Sequence, residues 1–558
     1  MFSVSEVIAR TLAHHVDAYF GLMGNGNAYF VDALERLGQP IFEVRHEAAT
    51  VASADAYFRV SDKFAVASTT YGAGFTNAIT PLAEAAMARI PLILVVGAEP
   101  GSGKRVFDVE QTQLAAAVGV ESFSVTRENA VERTLAAIET ARDQRIPVVL
   151  AIPYDIPNAS YRGTVAPETE LRPAPELPAL SDAAASDIAR HLLQADRPLI
   201  LAGRGAKAAV AELRELASYL GAGASTTAPA RGVFNLRQDG NSRHTSDTFV
   251  DLGVCGGFAA EGAAAEIRSA DVIFVVGAGL NQFTRAFGHA FSPQATVIQI
   301  DLGTEATHES VNHFYSSDAK IAATQLVRHV RRLTTPAMNA TLEARRKAAS
   351  SYIQNNPLTE RDPGTELAPD GRLDPRGLMP LLNEALPVDR TVIVDGGHFI
   401  GWPNTYLDLP GADHMVMVGT AFQSIGLGFP SAAGAALGRP DSFPVLFCGD
   451  GGGLMGIADA ETFIRLAGRG AIVIMNDGAY GAEVHQYVSK GLAERPVLIP
   501  DINFAGILEA LGAQVSVVRR HSDLREFERW MALGEDGVFV LDCRVSKAVI
   551  APYMREMM

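Results

Sequence analysis

Cysteine is scarce in this chain: there are three in 558 residues, and Cys255, Cys448 and Cys543 stand far apart. They offer neither a disulfide framework nor metal-ligand spacing, so they read as buried small apolar residues. A basic surplus is missing as well. The formal net charge is −16, and a phosphate backbone needs a positive surface, so nucleic acid is not an expected partner. No apolar run reaches the roughly 20 residues of a membrane helix. The longest, at 91–97 and 272–277, have strand length and lie between turn residues, so no membrane partner is expected either. The first 21 residues read as an amphipathic helix carrying Glu6 and Asp17, without a basic start and apolar centre. A cytoplasmic location is the resulting expectation. No tandem repeat of short period is visible.

What is present fits a large α/β protein. Single cores stop growing near roughly 250–300 residues, so this length implies about three domains. Hydrophobic residues at 48%, charged residues at 20%, 51 Gly and 29 Pro suit a soluble, loop-rich chain. Short β-branched runs at 64–68, 92–96 and 148–152 alternate with Ala-rich stretches of helical period, the signature of parallel βαβ units. Residues 163–180 carry Pro167, Pro173, Pro175 and Pro178 and read as a stiff linker. Strands at 198–201, 272–276 and 297–300 follow, then a polar segment at 355–376, then strands at 391–394, 444–447, 471–475 and 538–541. The expected fold class is α/β, with three consecutive doubly wound parallel-sheet domains at 1–165, 181–335 and 372–550. The first and third are expected to be similar, because each places a Gly-rich turn directly after a strand, where open α/β sheets gather ligands.

The strongest chemical signal follows the strand at 444–447, in Cys448-Gly449-Asp450-Gly451-Gly452-Gly453. Glycines there let backbone amides approach a phosphate, and a helix expected at 455–467 would turn its positive end toward the anion. Twenty-seven positions after Asp450 the next strand ends in Asn476-Asp477-Gly478-Ala479-Tyr480-Gly481. Two hard oxygen ligands beside a diphosphate describe an octahedral magnesium site. Taken singly, each segment could be an ordinary tight turn.

Together, the Gly-Asp-Gly, 24 intervening residues and the Asn-Asp pair resemble the signature of thiamine-diphosphate-dependent 2-oxo acid decarboxylases and carboligases, the family of acetolactate synthase, pyruvate decarboxylase and benzoylformate decarboxylase. The resemblance spans nearly the whole chain and names its domains pyrimidine-binding, middle and diphosphate-binding. It implies that Asp450, Asp477 and the carbonyl of Ala479 hold magnesium, with Gly449, Gly451, Gly452, Tyr480 and Gly481 around the diphosphate. Asp477 departs from the family's Asn at that position. Upstream, Arg45-His46-Glu47 matches the family's Arg-His-Glu, where the acid hydrogen-bonds the aminopyrimidine so that the cofactor's own amino group can take a proton. The competing reading has Glu47 opening a helix and pairing with Arg45. In the family this glutamate and the diphosphate site come from different subunits, which implies a homodimer at minimum and an expected homotetramer.

Smaller matches complete the implied pocket. Residues 419–428 resemble the segment under the bent cofactor, with Ile425 as prop and the Gln423 carbonyl as acceptor. Gly397, His398 and Phe399 align with a cofactor-binding turn, and Thr70 sits in a decarboxylase-like Thr-Tyr-Gly-Ala-Gly. Asn25 falls where pyruvate decarboxylases carry an acid; it can hydrogen-bond an oxyanion but cannot donate a proton as an acid. The paired histidines of decarboxylases are missing near 110, and Gln113 best matches the synthases' pocket glutamine, with turn capping by Gln111 or Gln113 as the alternative. Residues 97–105 imitate a phosphate loop but have one residue too many, with Arg105 where Ser or Thr is needed. Residues 277–282 lack the third glycine of a dinucleotide fingerprint, in a domain where some relatives bind FAD and others nothing, so FAD is possible. The function expected is that of a lyase/transferase that decarboxylates a 2-oxo acid and ligates the product to a second carbonyl compound. The alternatives are aldehyde release, hydrolysis or lysis of a dione, and a non-catalytic regulatory homologue.

Overall fold

A computed structural model of the chain describes residues 2–234, 248–355 and 358–557. Its frame is three six-stranded sheets. The first holds β1 (Ala18–Gly21), β2 (Phe42–Glu43), β3 (Ala65–Thr69), β4 (Leu92–Ala98), β5 (Glu121–Ser124) and β6 (Pro147–Pro153), in the order β2-β1-β3-β4-β6-β5. The second holds β7 (Pro198–Ala202), β8 (Gly223–Thr226), β9 (Val250–Val254), β10 (Val272–Val276), β11 (Thr296–Asp301) and β12 (His313–Ser316), in the order β12-β11-β10-β7-β8-β9. The third holds β13 (Arg390–Val394), β14 (Met415–Val416), β15 (Phe443–Gly449), β16 (Arg469–Asn476), β17 (Gln514–Val518) and β18 (Gly537–Arg544), in the order β14-β13-β15-β16-β18-β17. Counting strands from each sheet's own start, the first and third share one order, 2-1-3-4-6-5. The expected likeness of the two is therefore real at the level of topology.

The strands pair in parallel, as βαβ alternation requires. Their sequences run apolar on both faces because helices cover both: β4, β7, β10 and β13 are buried almost end to end. Each fully buried aliphatic side chain contributes about 1.5–3 kcal/mol, so strands such as Val272–Val276 anchor their sheets. Cys255, Cys448 and Cys543 are all free and buried, as expected. The Pro-rich stretch 163–180 has no helix or strand.

One local expectation is corrected. The helix at 455–467 instead starts at Asp450, runs only to Met455, and is followed by a 3-10 turn at Ile457–Asp459 and a second helix, Ala460–Leu466. The glycine run thus lies inside the first turn rather than before it. Glycine disfavours helix in isolation, but here tertiary contacts override propensity.

The first and third sheets are joined through helix Glu47–Ser61, which lies on helix Gly428–Gly438. Ser53 Oγ donates to the Pro430 carbonyl at 2.7 Å. A Cβ at Gly434 would stand 1.9 Å from the Ser53 carbonyl oxygen, so only glycine permits this approach. No helix among the described residues is long and apolar enough to cross a membrane.

Candidate active site

The carboxyl edge of the third sheet opens on a cavity of about 1330 Å³ that extends to the loops of the second sheet. Gly449 and Met475 are register partners on β15 and β16, so the residues just beyond them emerge side by side. Asp450 opens its helix and is buried; its Oδ2 accepts from the Gly478 amide at 2.9 Å. Asp477 Oδ1 accepts from the Ala479 amide at 3.1 Å. The two carboxyls touch. Burial pushes both above the usual carboxylate range, and the charge of Asp450 pushes Asp477 higher still. Such a pair is unfavourable without a shared proton or a cation, and backbone oxygen from the same turn would extend the donor set. The residues therefore fit a hard divalent ion held partly by a ligand's phosphates. Among the described residues no cluster of three His, Cys, Asp or Glu forms a complete protein cage. Asn476 turns away, donating to the Ile502 carbonyl and to Asp542 Oδ1 at 3.2 and 3.0 Å.

Glycine at this edge is a spatial requirement. A Cβ at Gly451 would lie 2.5 Å from the Tyr480 ring, and one at Gly452 would lie 2.6 Å from Asp395 Oδ2. One at Gly481 would lie 2.9 Å from Asp477 Oδ2 and 3.2 Å from His398 Nδ1, which places that imidazole beside the acid pair. His398 is buried, and desolvation followed by His485 drives its pKa down to about 3. Its Nε2 accepts from the Ala551 amide at 2.9 Å, which requires that nitrogen to be unprotonated. It is therefore a neutral hydrogen-bonding group.

The opposite wall is the 419–425 turn. Gln423 carries a left-handed φ of 58° and Gly426 a φ of 87°. Asp395, at the end of β13, accepts from the Gly396 amide at 2.7 Å and from the Gly426 amide at 2.9 Å. It ties the two cavity-facing turns together. The sequence gives little warning of this role; the only signal is an acid at a strand end. Tyr553, near the C-terminus, is another residue that motif reading misses: its hydroxyl donates to the Gly397 carbonyl at 3.1 Å.

Gly397, His398, Phe399, Gln423, Ile425, Gly449, Asp450, Gly451, Gly452, Asp477, Ala479, Tyr480 and Gly481 all line this cavity, so one chain brings together every site residue expected from the third domain. Glu47, Asn25, Thr70 and Gln113 do not line it. They stand on the carboxyl edge of the first sheet. Glu47 begins helix Glu47–Ser61 and accepts from Asn77 Nδ2 at 3.0 Å. Arg45 pairs with Glu461 at 2.7 Å, not with Glu47. Glu47 is half-buried in the single chain. Thr70 Oγ1 accepts from the Gly26 amide at 2.9 Å. Asn25 lies within 3.1 and 3.4 Å of the hydroxyls of Tyr71 and Tyr154. Gln113 is exposed, whereas Gln111 bridges the Gly72 amide and the Gly97 carbonyl at 2.7 and 3.0 Å. The imitation phosphate loop carries Lys104 against Glu110 and Arg105 against Asp108, a surface loop pinned by its own ion pairs.

Three thiamine pyrophosphate enzyme models match in series: the N-terminal TPP binding domain over residues 2–118, the central domain over 185–326 and the C-terminal TPP binding domain over 395–543. The chain belongs to the thiamine pyrophosphate enzyme family. Within it, the chain is 27% identical over 553 residues to the sulfoacetaldehyde acetyltransferase of Castellaniella defragrans, covering 93% of this chain and 89% of that one. It is 26% identical over 482 residues to the acetolactate synthase large subunit of Parasynechococcus marenigrum, covering 83% and 74%. It is 25% identical over 520 residues to the 2-hydroxyacyl-CoA lyase 2 of Caenorhabditis elegans, covering 82% and 76%. The fold is shared with a thiamine diphosphate-dependent 4-hydroxybenzoylformate decarboxylase of Rhodococcus jostii RHA1, with a TM-score of 0.76, 22% identity and coverage of 98% and 99%. The two TPP-binding domains fix thiamine diphosphate as the cofactor class.

Proposed function

We propose that this enzyme uses magnesium and thiamine diphosphate to decarboxylate a 2-oxo acid and to join the remaining acyl unit to a second carbonyl compound, in the manner of acetolactate synthase. The observation that carries the proposal is the meeting of Asp450, Asp477 and Ala479 with the 419–425 turn around one cavity. Asp450, Asp477 and the Ala479 carbonyl would hold the ion, and Gly451 and Gly452, which line the same cavity, would present their backbone to the diphosphate. Ile425 would support the cofactor from below, and the Gln423 carbonyl would accept from its amino group. When bound, thiamine diphosphate supplies a nucleophilic carbon and an electron sink. Glu47 would hold and release the proton on which that carbon depends. Because Glu47 lies outside its own chain's cavity, the reading needs Glu47 from a second copy, and hence a homodimer at least.

Asn25 in place of an acid and the missing histidine pair leave the site poor in proton donors, which favours ligation. One observation favours the second reading, release of an aldehyde: the hydroxyls of Tyr71 and Tyr154 flank Asn25 and can donate protons where histidines do not. The relatives' names cover acetyl transfer, acetolactate synthesis and acyl-CoA lysis, and do not choose between the two. Incubation with magnesium, cofactor and a panel of 2-oxo acids, with and without acceptor aldehydes, decides by mass analysis of products. A hydroxy-ketone supports ligation; aldehyde alone overturns it in favour of the second reading. The absorption spectrum of the purified protein reads directly whether the cavity's reach toward the loops after β7, β10 and β11 holds a flavin.

A further inference from the structure

We propose that Glu84, a fully buried acid outside the cavity, is a positioning residue. With Arg59 it clamps the turn on which the cofactor rests, reaching across from the first sheet's helices to the third sheet of the same chain. The role rests on the functional reading above, because that reading gives the turn its cofactor contact.

Glu84 lies on helix Ile79–Met87 and has no exposed surface. Its Oε1 accepts from Arg59 Nη2 at 3.0 Å and its Oε2 accepts from the Phe422 amide at 2.7 Å. Arg59, near the end of helix Glu47–Ser61, donates from Nη1 to the Met417 carbonyl at 3.2 Å. It is held in place by Asp55, from Nε at 2.5 Å and Nη2 at 3.2 Å. The two side chains therefore grip both ends of the segment 417–422.

Between and just beyond these grips the backbone is unusual. Gly419 has a φ of 107° and its carbonyl accepts from the Ser424 amide at 2.8 Å. Gln423, directly after the clamped Phe422, sits in the left-handed region with a full side chain. Such a conformation persists only where the surroundings over-determine it, and it tends to mark sites where shape is functional. Asp395 fixes the far end through the Gly426 amide. The clamp and Asp395 thus bracket Gln423 and Ile425, both of which line the cavity, while the clamp's own carboxylate does not. A buried carboxylate accepting a backbone N–H makes a stronger bond than a neutral acceptor, which suits holding a strained turn before any ligand arrives. Its charge faces Arg59, which Asp55 shares, and Lys207 of the second sheet's layer donates to the Arg59 carbonyl at 2.6 Å, so all three sheets meet at the clamp.

A purely structural ion cluster would lower stability when cut and leave the turn's order and the cofactor affinity unchanged. The test compares Glu84→Met, which has no acceptor, with Glu84→Gln, which keeps a carbonyl for the Phe422 amide. Amide hydrogen exchange across 417–427 is measured on the cofactor-free protein, and thiamine diphosphate affinity is measured by calorimetry at saturating magnesium. In Glu84→Met, exchange in this segment should accelerate and the Kd should rise, each by about tenfold or more, while Glu84→Gln, which keeps the acceptor for the Phe422 amide but turns an N–H toward Arg59, should change each by less. A folded Glu84→Met with parental exchange and parental Kd overturns the proposal, as does an equal loss of thermal stability in both variants at unchanged Kd. If Glu84→Met does not fold, Glu84→Asp, too short to reach both partners, carries the same expectation and the same refutation. Failure of the parent protein to bind the cofactor would overturn the functional reading, whereas the exchange measurement judges the clamp by itself.

Discussion

Asp450 and Asp477 meet at one edge of the third sheet because Gly449, directly before Asp450, and Met475, two residues before Asp477, are register partners on neighbouring parallel strands. The 24 residues separating Gly451 from Asn476 hold one crossover, so a spacing in sequence becomes a contact in space. Two touching, buried acids need a shared proton or a cation, and the two are held differently. Asp450 is fixed by the Gly478 amide and stands in the glycine turn, whereas Asp477 occupies a position where an amide oxygen could also ligate.

Asp450→Asn is expected to weaken magnesium-dependent thiamine diphosphate binding by about a hundredfold or more, beyond the 10–100-fold typical of outer-shell changes. Asp477→Asn is expected to stay within about tenfold of the parent, since it removes a charge that repels the diphosphate. Calorimetric titration of both variants checks this. Loss of all metal-dependent binding in Asp477→Asn would show that the second acid is indispensable.

The glycine requirement at the same edge gives a steric test. Gly452→Ala places a methyl 2.6 Å from Asp395 Oδ2, an atom whose retreat loosens one of its carboxylate's two contacts to the Gly426 amide. The expected cost is about 1–3 kcal/mol in urea unfolding. The cofactor Kd is expected to rise by about tenfold or more, the equivalent of at least about 1.4 kcal/mol. A variant with parental affinity would mean that the turn is more pliable than its packing indicates.

Asp395 gives the cofactor-free protein a pH signature. Burial, opposed by hydrogen bonds from nearby backbone amides, raises its pKa to about 6, above the roughly 3.9 of an unfolded aspartate. A raised acid favours the protonated folded state, so its stabilising contribution is full below about pH 4 and is lost as pH rises through about 6. Relative to Asp395→Asn, the parent should therefore lose up to about 3 kcal/mol of unfolding free energy between pH 4 and 7. A pH-independent difference between the two curves would contradict this.

Glu47→Gln separates binding from chemistry. The amide can still occupy the helix start beside Asn77 but cannot hold or release a proton. Cofactor affinity should stay within about tenfold while turnover falls by about 10²–10⁴, the usual worth of general acid–base catalysis. Turnover at the parental rate would remove Glu47 from the mechanism.

Much of this was legible in the sequence where a local rule dictates a local result. Apolar runs bounded by turns locate strands, and strand ends followed by Gly-Asp or Asn-Asp locate the acid pair at the cavity, because ligands of open α/β sheets gather at carboxyl edges. The shared strand order of the first and third sheets does not follow from that alternation, because the second sheet alternates in the same way and is ordered 6-5-4-1-2-3. What could not be read depends on contacts distant in sequence. The helix at Asp450–Met455 contradicts its glycine content and forms where Gly426, Asp395 and Tyr480 surround it. Arg45 finds Glu461 rather than the nearby Glu47, and Gln111 rather than Gln113 makes the bridging contacts. The Arg59–Glu84 clamp joins helices to a turn more than 330 residues away, and no spacing in the chain announces it.

The account stands or falls on a site completed by Glu47 of one chain and Asp450 of another. The direct measurement mixes Glu47→Gln and Asp450→Asn proteins, each folded and nearly inactive, under conditions that exchange subunits, and follows 2-oxo acid consumption. Random exchange in a dimer leaves one intact site in half of the molecules, so activity should recover to about a quarter of the parental value. No recovery, with exchange verified by mass, would contradict the shared site.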